Sequence, residues 1–209
     1  MIRLYEIRCG HSPAHEESGS VLQGFRDQRV VVIGAANSAV QIAHELAQVS
    51  RVVLVTRESV RFFPQKILGV DFHAWLKWTG GGNTRWLNDQ GTPVLDDGTY
   101  RSAIKHGLFE CKPMFTHVTS TGVTWADGER AEADSLVFAT GFRPNLGCLA
   151  GLHRADDESL TQRNGEAEHL PGLYFVGLPK QRNFDSATLR GVGPDVAHII
   201  PSLMRFIQK

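Results

Sequence analysis

Two continuous apolar runs, "RVVVI" at residues 29–33 and "RVVLVT" at 51–56, interrupt a chain in which apolar and polar positions otherwise mix. Runs of this kind suit strands buried on both faces. Between them Ala39, Ile42, Ala43, Leu46 and Ala47 recur at helical spacing, and Gln41, His44, Glu45 and Gln48 take the opposite side. The pattern therefore predicts strand, helix and strand within 28 residues. That is close to the roughly 30 residues of a right-handed βαβ crossover.

The flanking segments are less regular. Residues 1–28 alternate weakly through Ile2, Leu4 and Ile7 and then turn polar, which suits a linker or trimmed segment. "DFHAWLKW" at 71–78 predicts a short helix ended by "TGGGN". From Met114 onward "MFTHVT", "GVTWA", the turn pair Asp127-Gly128, "ERAEA" and "SLVFAT" predict an antiparallel hairpin layer feeding a return strand. "GLYFVG" at 172–177 predicts a further strand, and "DVAHIIPSLMRFIQK" a terminal helix. Strands alternating with helices, with a hairpin insertion, give the fold class α/β.

The turn after the first apolar run carries the candidate chemistry. In a G-x-G-x-x-G/A dinucleotide fingerprint the first glycine makes the turn, the second lets backbone approach a pyrophosphate, and the third position lets helix and strand pack closely. Gly34, Ala36 and Ala39 occupy those positions, so Ala36 puts a methyl group where the phosphates come nearest. Asn37 and Ser38 stand at the helix start, where free N–H groups favour an anion and their side chains can cap the helix or touch phosphate. About 20 residues on, the second strand ends in Thr56-Arg57-Glu58. A guanidinium there suits the 2′-phosphate of NADP(H), and Glu58 is the competing ribose acid if the strand runs one residue further. The same glycine pattern also serves as a plain strand-to-helix turn in other α/β proteins.

Composition narrows the classes of ligand. Lys plus Arg and Asp plus Glu are 22 each, so the formal net charge is zero and bulk electrostatics do not point to nucleic acid. No apolar run reaches the roughly 18 residues that a bilayer requires, and the opening lacks the apolar core of a secretion signal, which makes the cytoplasm the expected compartment. Cys9, Cys111 and Cys148 are isolated, with no C-x-x-C and no metal-like pairing with histidine.

An ordered set of motifs carries a resemblance: "FRDQRVVVIGAANSAVQIAHEL", "TRESVRFFPQKILGVDFHAWL", "LVFATGFRPN" at 136–145, and "GLYFVGLPKQRNFDSATLRGVGPDVAHII" at 172–200, preceded by "HS" at 11–12. Together they resemble flavin-containing monooxygenases and bacterial flavoproteins of the FAD/NAD(P)-dependent oxidoreductase superfamily. The most specific piece, "ATGFRPN", looks like the segment that returns the chain from the NADPH lobe to the FAD lobe. By this resemblance residues 1–23 are linker or trimmed segment, 24–135 a Rossmann-like NADPH-binding lobe, and 136–209 the C-terminal part of an FAD-binding domain. Ala139, Thr140 and Gly141, with Ser186, Thr188 and Arg190, are then implied near FAD. Without the resemblance, the last three read as a helix cap followed by a solvated arginine.

The superfamily opens with its own glycine-rich βαβ unit for FAD, and the 28 residues before "RVVVI" are too short and polar to hold one. The FAD adenylate pocket is therefore expected to be missing from this stretch. The implied activity is hydride transfer from NADPH to FAD followed by oxygen activation, acting on a small-molecule substrate. A homo-oligomer, or a partner supplying the absent half, would complete it. A truncated NADP(H)-binding module without catalysis is the competing function. A pyridine-nucleotide disulfide reductase would need the redox cysteine pair that this sequence lacks. His44, His106 and the Asp96-Asp97-Gly98 turn are weak catalytic candidates, each reading more simply as surface or turn.

Overall fold

The computed structural model describes residues 1–6, 22–79, 93–142, 146–152 and 161–208, with backbone alone at 73, 76, 77, 79 and 150–152. Contacts divide the chain into two units, residues 1–72 with 92–142, and residues 73–91 with 143–209.

The first unit is built on a five-stranded parallel sheet. Its strands are β1 (Arg3–Glu6), β2 (Arg29–Ile33), β3 (Arg51–Thr56), β8 (Glu110–Pro113) and β12 (Ser135–Phe138), in the order β1-β12-β2-β3-β8. Helix α1 (Asn37–Leu46) joins β2 to β3 as the apolar periodicity predicts. Even-numbered residues of the two central strands, Val30, Val32, Val52 and Leu54, pack toward a cluster with Ala39, Val40, Ala43 and Leu46 of α1. Odd-numbered Val31, Ile33 and Val55 join Val123, Trp125, Ala133 and Leu136 on the other face. Both faces are covered, which explains why β2 is apolar at every position after its leading arginine and β3 at every position between Arg51 and Thr56; each such side chain contributes about 1.5–3 kcal/mol on burial.

The cover on the second face is the expected hairpin layer, β9 (His117–Val118), β10 (Gly122–Thr124) and β11 (Arg130–Glu132), antiparallel throughout. The Asp127-Gly128 turn forms where predicted, with Glu129 N donating to Asp127 Oδ1 at 2.9 Å. Trp125 Nε1 donates to Pro113 O at 2.7 Å, and Lys112 Nζ sits 4.8 Å from the Trp125 ring centroid. These contacts fasten the layer to the edge strand β8.

Between β3 and β8 lie β4 (Phe62–Pro64), the β5–β6 hairpin (Lys66–Ile67, Val70–Asp71), α2 (Phe72–Thr79), β7 (Val94–Asp96) and α3 (Thr99–Lys105). The division between units falls at the first residue of α2. The predicted short helix is α2; the "GGGN" part of its expected stop lies outside the described residues. Strands β4 and β7 pair in parallel, a small sheet that the sequence reading did not anticipate.

One difference in the first unit has a physical cause. Within the segment read as linker, Arg3–Glu6 forms the edge strand β1, laddered in parallel to β12. With Leu4 67% exposed, β1 shows little apolar face, and its strand character comes from the β12 ladder and from Tyr5 packing on Phe25 at 4.8 Å. Ser135–Phe138 pairs along its length with β2, and residues through Phe142 belong to the first unit. The "HS" at 11–12 lies outside the described residues.

The second unit holds a 3₁₀ turn (Gly147–Leu152), the hairpin β13–β14 (Gln162–Arg163, Glu166–Ala167), a second 3₁₀ turn (Phe184–Ala187) and helix α4 (Leu189–Ile207). The predicted strand "GLYFVG" is corrected to an extended segment with one bridge, Tyr174 opposite Glu166. The hairpin beside it is two residues per strand, too short to support a ladder. Helix α4 begins six residues before "DVAHII", inside the motif "SATLRGVG", because Thr188 caps it ahead of a glycine-proline stretch that reads locally as loop. Gly191 is required in that first turn, since a Cβ there would lie 2.0 Å from Asp185 O. No helix among the described residues is long and apolar enough to cross a membrane.

Candidate nucleotide site at the switch point of the sheet

The chain runs outward from β2 to β3 to β8, then returns to the other side of β2 as β12. Strand order thus reverses between β2 and β12, and open parallel sheets bind ligands in the crevice at the carboxyl ends of such a pair. The glycine turn and the start of "ATGFRPN" both lie at that place. Gly34 N donates to Val55 O at 3.1 Å and Ala139 N to Ile33 O at 2.9 Å, so the three strands end level. Ser38, Phe138, Ala139, Gly141 and Phe142 line a small hollow of about 10 Å³ there. A larger groove, about 760 Å³, lies around Arg26, Arg29, Arg51 and Asp134 at the amino ends of the strands. Dipole and topology both favour the switch point over that end.

Gly34 has φ +147°, and a Cβ on it would stand 2.3 Å from Ala139 O and 2.9 Å from the Ala39 methyl. The first glycine therefore serves both the turn and the close approach of the return strand. Ala39 is fully buried, as the third fingerprint position demands. Ala36 is the exposed N-cap of α1, in an extended conformation open to any residue, with no side-chain capping bond. Its methyl group costs the backbone nothing, and the first N–H groups of the helix have no intrahelical acceptor. The first turn of α1 carries no acid, and Ser38 is exposed there. This uncapped helix start fits an anionic phosphate group.

Asn37 departs from expectation. Its side chain neither caps α1 nor faces the crevice as an open group; Oδ1 accepts from Leu95 N at 3.1 Å and Nδ2 donates to Pro93 O at 3.3 Å. Arg57 is exposed just beyond β3, at the same carboxyl end of the sheet. Strand β3 ends at Thr56 as predicted, and Glu58 is exposed beside Arg57. Thr140 and Gly141 are exposed at the return turn, with Gly141 at φ +94°.

In the second unit Ser186 is fully buried, and its Oγ accepts from Arg182 N at 3.1 Å and Asn183 N at 3.2 Å. It closes a capping box, a folding role in the turn that precedes the terminal helix. Thr188 Oγ1 donates to Asp185 O at 2.7 Å and accepts from Gly191 N at 3.3 Å, so it too is a cap. Arg190 stands exposed in the first turn of α4. Gly34, Ser38, Arg57 and Ala139 to Gly141 thus lie at the carboxyl ends of the first unit's strands, and the Ser186 and Thr188 hydroxyls cap turns of the second unit.

The weak catalytic candidates resolve into structure. Asp96 is buried and accepts from the N–H groups of Gly98, Tyr100 and Arg101, capping α3. Hydrogen bonds from Thr99 hold the Asp97 carboxyl below its ordinary value, the wrong direction for a general acid at neutral pH. His44 packs edge-on to Tyr100 at 5.5 Å, and His106 is exposed at the end of α3. Among the described residues Cys111 and Cys148 are free thiols, and no cluster of His, Cys, Asp and Glu could hold a metal.

No family model matches the chain. It is 26% identical over 211 residues to an uncharacterized CzcO-like oxidoreductase of Geobacillus kaustophilus, covering 97% of this chain and 58% of that protein. It is 26% identical over 218 residues to the indole-3-pyruvate monooxygenase YUCCA4 of Oryza sativa subsp. japonica, covering 87% and 48%. A flavin-containing monooxygenase structure from Stenotrophomonas maltophilia superposes with a TM-score of 0.69 at 21% identity, over 99% of this chain and 56% of that one. The chain thus spans about half the length of the proteins it matches. The chain is therefore similar in sequence to oxidoreductases and flavin monooxygenases of the group that its motifs resemble, and it shares the fold of a flavin-containing monooxygenase.

Proposed function

We propose that the first unit binds NADP(H) at the β2–β12 crevice and serves as the nicotinamide-nucleotide lobe of a flavin-dependent oxidoreductase of the monooxygenase type. In this reading the N–H groups of Asn37 and Ser38 meet the pyrophosphate, Arg57 pairs with the 2′-phosphate, and Ala139 to Gly141 form the far wall. When bound, FAD supplies the hydride acceptor and the oxygen chemistry; the chain's own residues hold, orient and shield the nucleotide. The observation that carries the reading is the uncapped, acid-free start of α1 beside an arginine on the next strand end. The substrate is a small molecule, the compartment the cytoplasm, and the rest of the FAD site comes from a further polypeptide segment, from a partner or from a homo-oligomer.

Helix α4 supports the need for further polypeptide. Val196, Ile200, Met204 and Ile207 follow one another at spacings of four, four and three, and each is at least 38% exposed. An apolar stripe of this length is normally covered. The second reading, an NADP(H)-binding module without catalysis, is favoured by the single glycine-turn βαβ unit among the described residues.

Titration of NADPH and NADH against wild type and Arg57→Ala tests the assignment. Wild type should prefer NADPH. The substitution should cost NADPH roughly 10- to 100-fold in affinity, the size of a lost charge-assisted bond of about 1.5–3 kcal/mol, with little change for NADH. Equal losses for the two nucleotides would point to Glu58 or to a site elsewhere.

A further inference from the structure

Asn37 sits at a fingerprint position where a polar side chain invites assignment to phosphate. Its geometry says otherwise. Strand β7 shows one edge to β4, with Val94 N donating to Arg61 O at 2.8 Å and Gln65 N donating to Asp96 O at 3.1 Å. The other edge presents Pro93 O and Leu95 N, and the Asn37 carboxamide takes both. A single amide thus stands where a third strand would be, satisfying one donor and one acceptor beside the fully buried Val94.

What β7 holds in turn is the segment that carries Arg57. Residues 57–61 form a five-residue link between β3, fixed in the main sheet, and β4, laddered to β7 in the small one. Arg101 adds to the same brace, donating to Phe62 O at 2.9 Å and lying 5.4 Å from the Phe62 ring centroid. Val60 packs against the core from within the link. Asn37 is therefore joined through β7 and β4 to the far end of the link, while its own backbone opens the helix whose N-terminus faces the crevice.

We propose that Asn37 is a positioning residue of the nucleotide site, whose side chain sets the 57–61 link, and with it Arg57, relative to the phosphate turn, and so governs the choice between NADP(H) and NAD(H). The proposal rests on the nucleotide assignment made above. It separates two roles that a fingerprint position merges: the Asn37 backbone N–H serves the pyrophosphate shared by both nucleotides, and its side chain serves the 2′-phosphate end through Arg57.

The ratio of NADPH to NADH affinity is the readout, because any effect on the shared pyrophosphate cancels in it. Asn37→Ala should lower the ratio about fivefold to tenfold, the effect of one or two lost net hydrogen bonds. Asn37→Asp keeps the acceptor for Leu95 N and loses the donor to Pro93 O, so it should lower the ratio less. In an Arg57→Ala background Asn37→Ala should leave the ratio unchanged. If Asn37→Ala weakens both nucleotides equally, its side chain touches phosphate directly and the positioning role is overturned, while the nucleotide assignment stands. A ratio change that persists without Arg57 overturns it as well. If Arg57→Ala alone does not alter the ratio, the nucleotide assignment itself fails and the proposal falls with it. Amide hydrogen exchange on the wild-type chain gives a test independent of variant folding: NADPH should slow exchange at 61–65 and at Leu95 more than NADH does, and equal slowing counts against the proposal.

Discussion

At the scale of single residues, the turn from β2 to α1 shows how one fingerprint divides into different physical tasks. Gly34 is fixed by backbone geometry and by the Ala139 carbonyl 2.3 Å from where a Cβ would go. Gly34→Ala should cost about 3 kcal/mol, combining backbone strain with overpacking, and lower the melting temperature by roughly 6–12 °C in a chain of this size. A thermal scan with loss of less than a degree would mean that the β12 end moves freely away. Ala36, which looks like the defect in the motif, is structurally neutral because its extended backbone has no need of glycine. The turn from Gly34 to Ala39 was legible in the sequence because it acts within a few residues, whereas the approach of Ala139 to Gly34 was not. Asn37 was not, because its partners Pro93 and Leu95 lie 56 and 58 residues away. Ser186 and Thr188 were half legible: residues of that type cap helices or meet ligands with equal ease, and only burial and bond partners show that both hydroxyls are taken.

At the scale of elements, continuous apolar strands and a periodic helix were predicted correctly because their pattern reports burial directly. Strands whose existence depends on a distant neighbour were missed or misread. Strand β1 is a strand because β12 offers a ladder, and "GLYFVG" is not one because the β13–β14 hairpin offers only a bridge. The joint of β1, β12 and β2 is tied by one carboxylate. Asp134 accepts from Arg29 Nε at 3.0 Å, Nη2 at 2.7 Å and backbone N at 2.8 Å, while Arg29 also reaches Glu132. The Arg29 guanidinium and backbone N–H hold the Asp134 carboxyl down to about 2, from an ordinary value of 3.8. A depressed carboxyl stabilises the fold fully above its unfolded value, and that contribution is lost as pH falls from about 4 to about 2. The pair is 40% exposed on each side, so the effect is modest and screened by salt. Asp134→Asn should lower the melting temperature at neutral pH by roughly 2–4 °C, with the gap closing by pH 2. A gap of the same size at both pH values would show that charge has no part in the joint.

At the scale of the whole molecule, the chain is two units spanning about half of a related flavoprotein. The described residues hold one glycine-turn βαβ unit, and the hydroxyls implied near FAD are committed to caps. The purified 209-residue chain should accordingly bind NADPH, retain no FAD through desalting, and stay colourless in the visible. A yellow protein that consumes NADPH would show instead that it completes a flavin site unaided. The sequence by itself determined the α/β class, the βαβ unit, the hairpin layer and the place of the glycine turn, because burial periodicity and turn chemistry act locally along the chain. Only the tertiary structure decided that β12 returns beside β2 to make the crevice, that Ser186 and Thr188 are caps, and that Asn37 braces β7. Each of those depends on which distant backbone group a short segment or a side chain meets, and hydrogen bonds across more than fifty residues leave no period in the sequence to read.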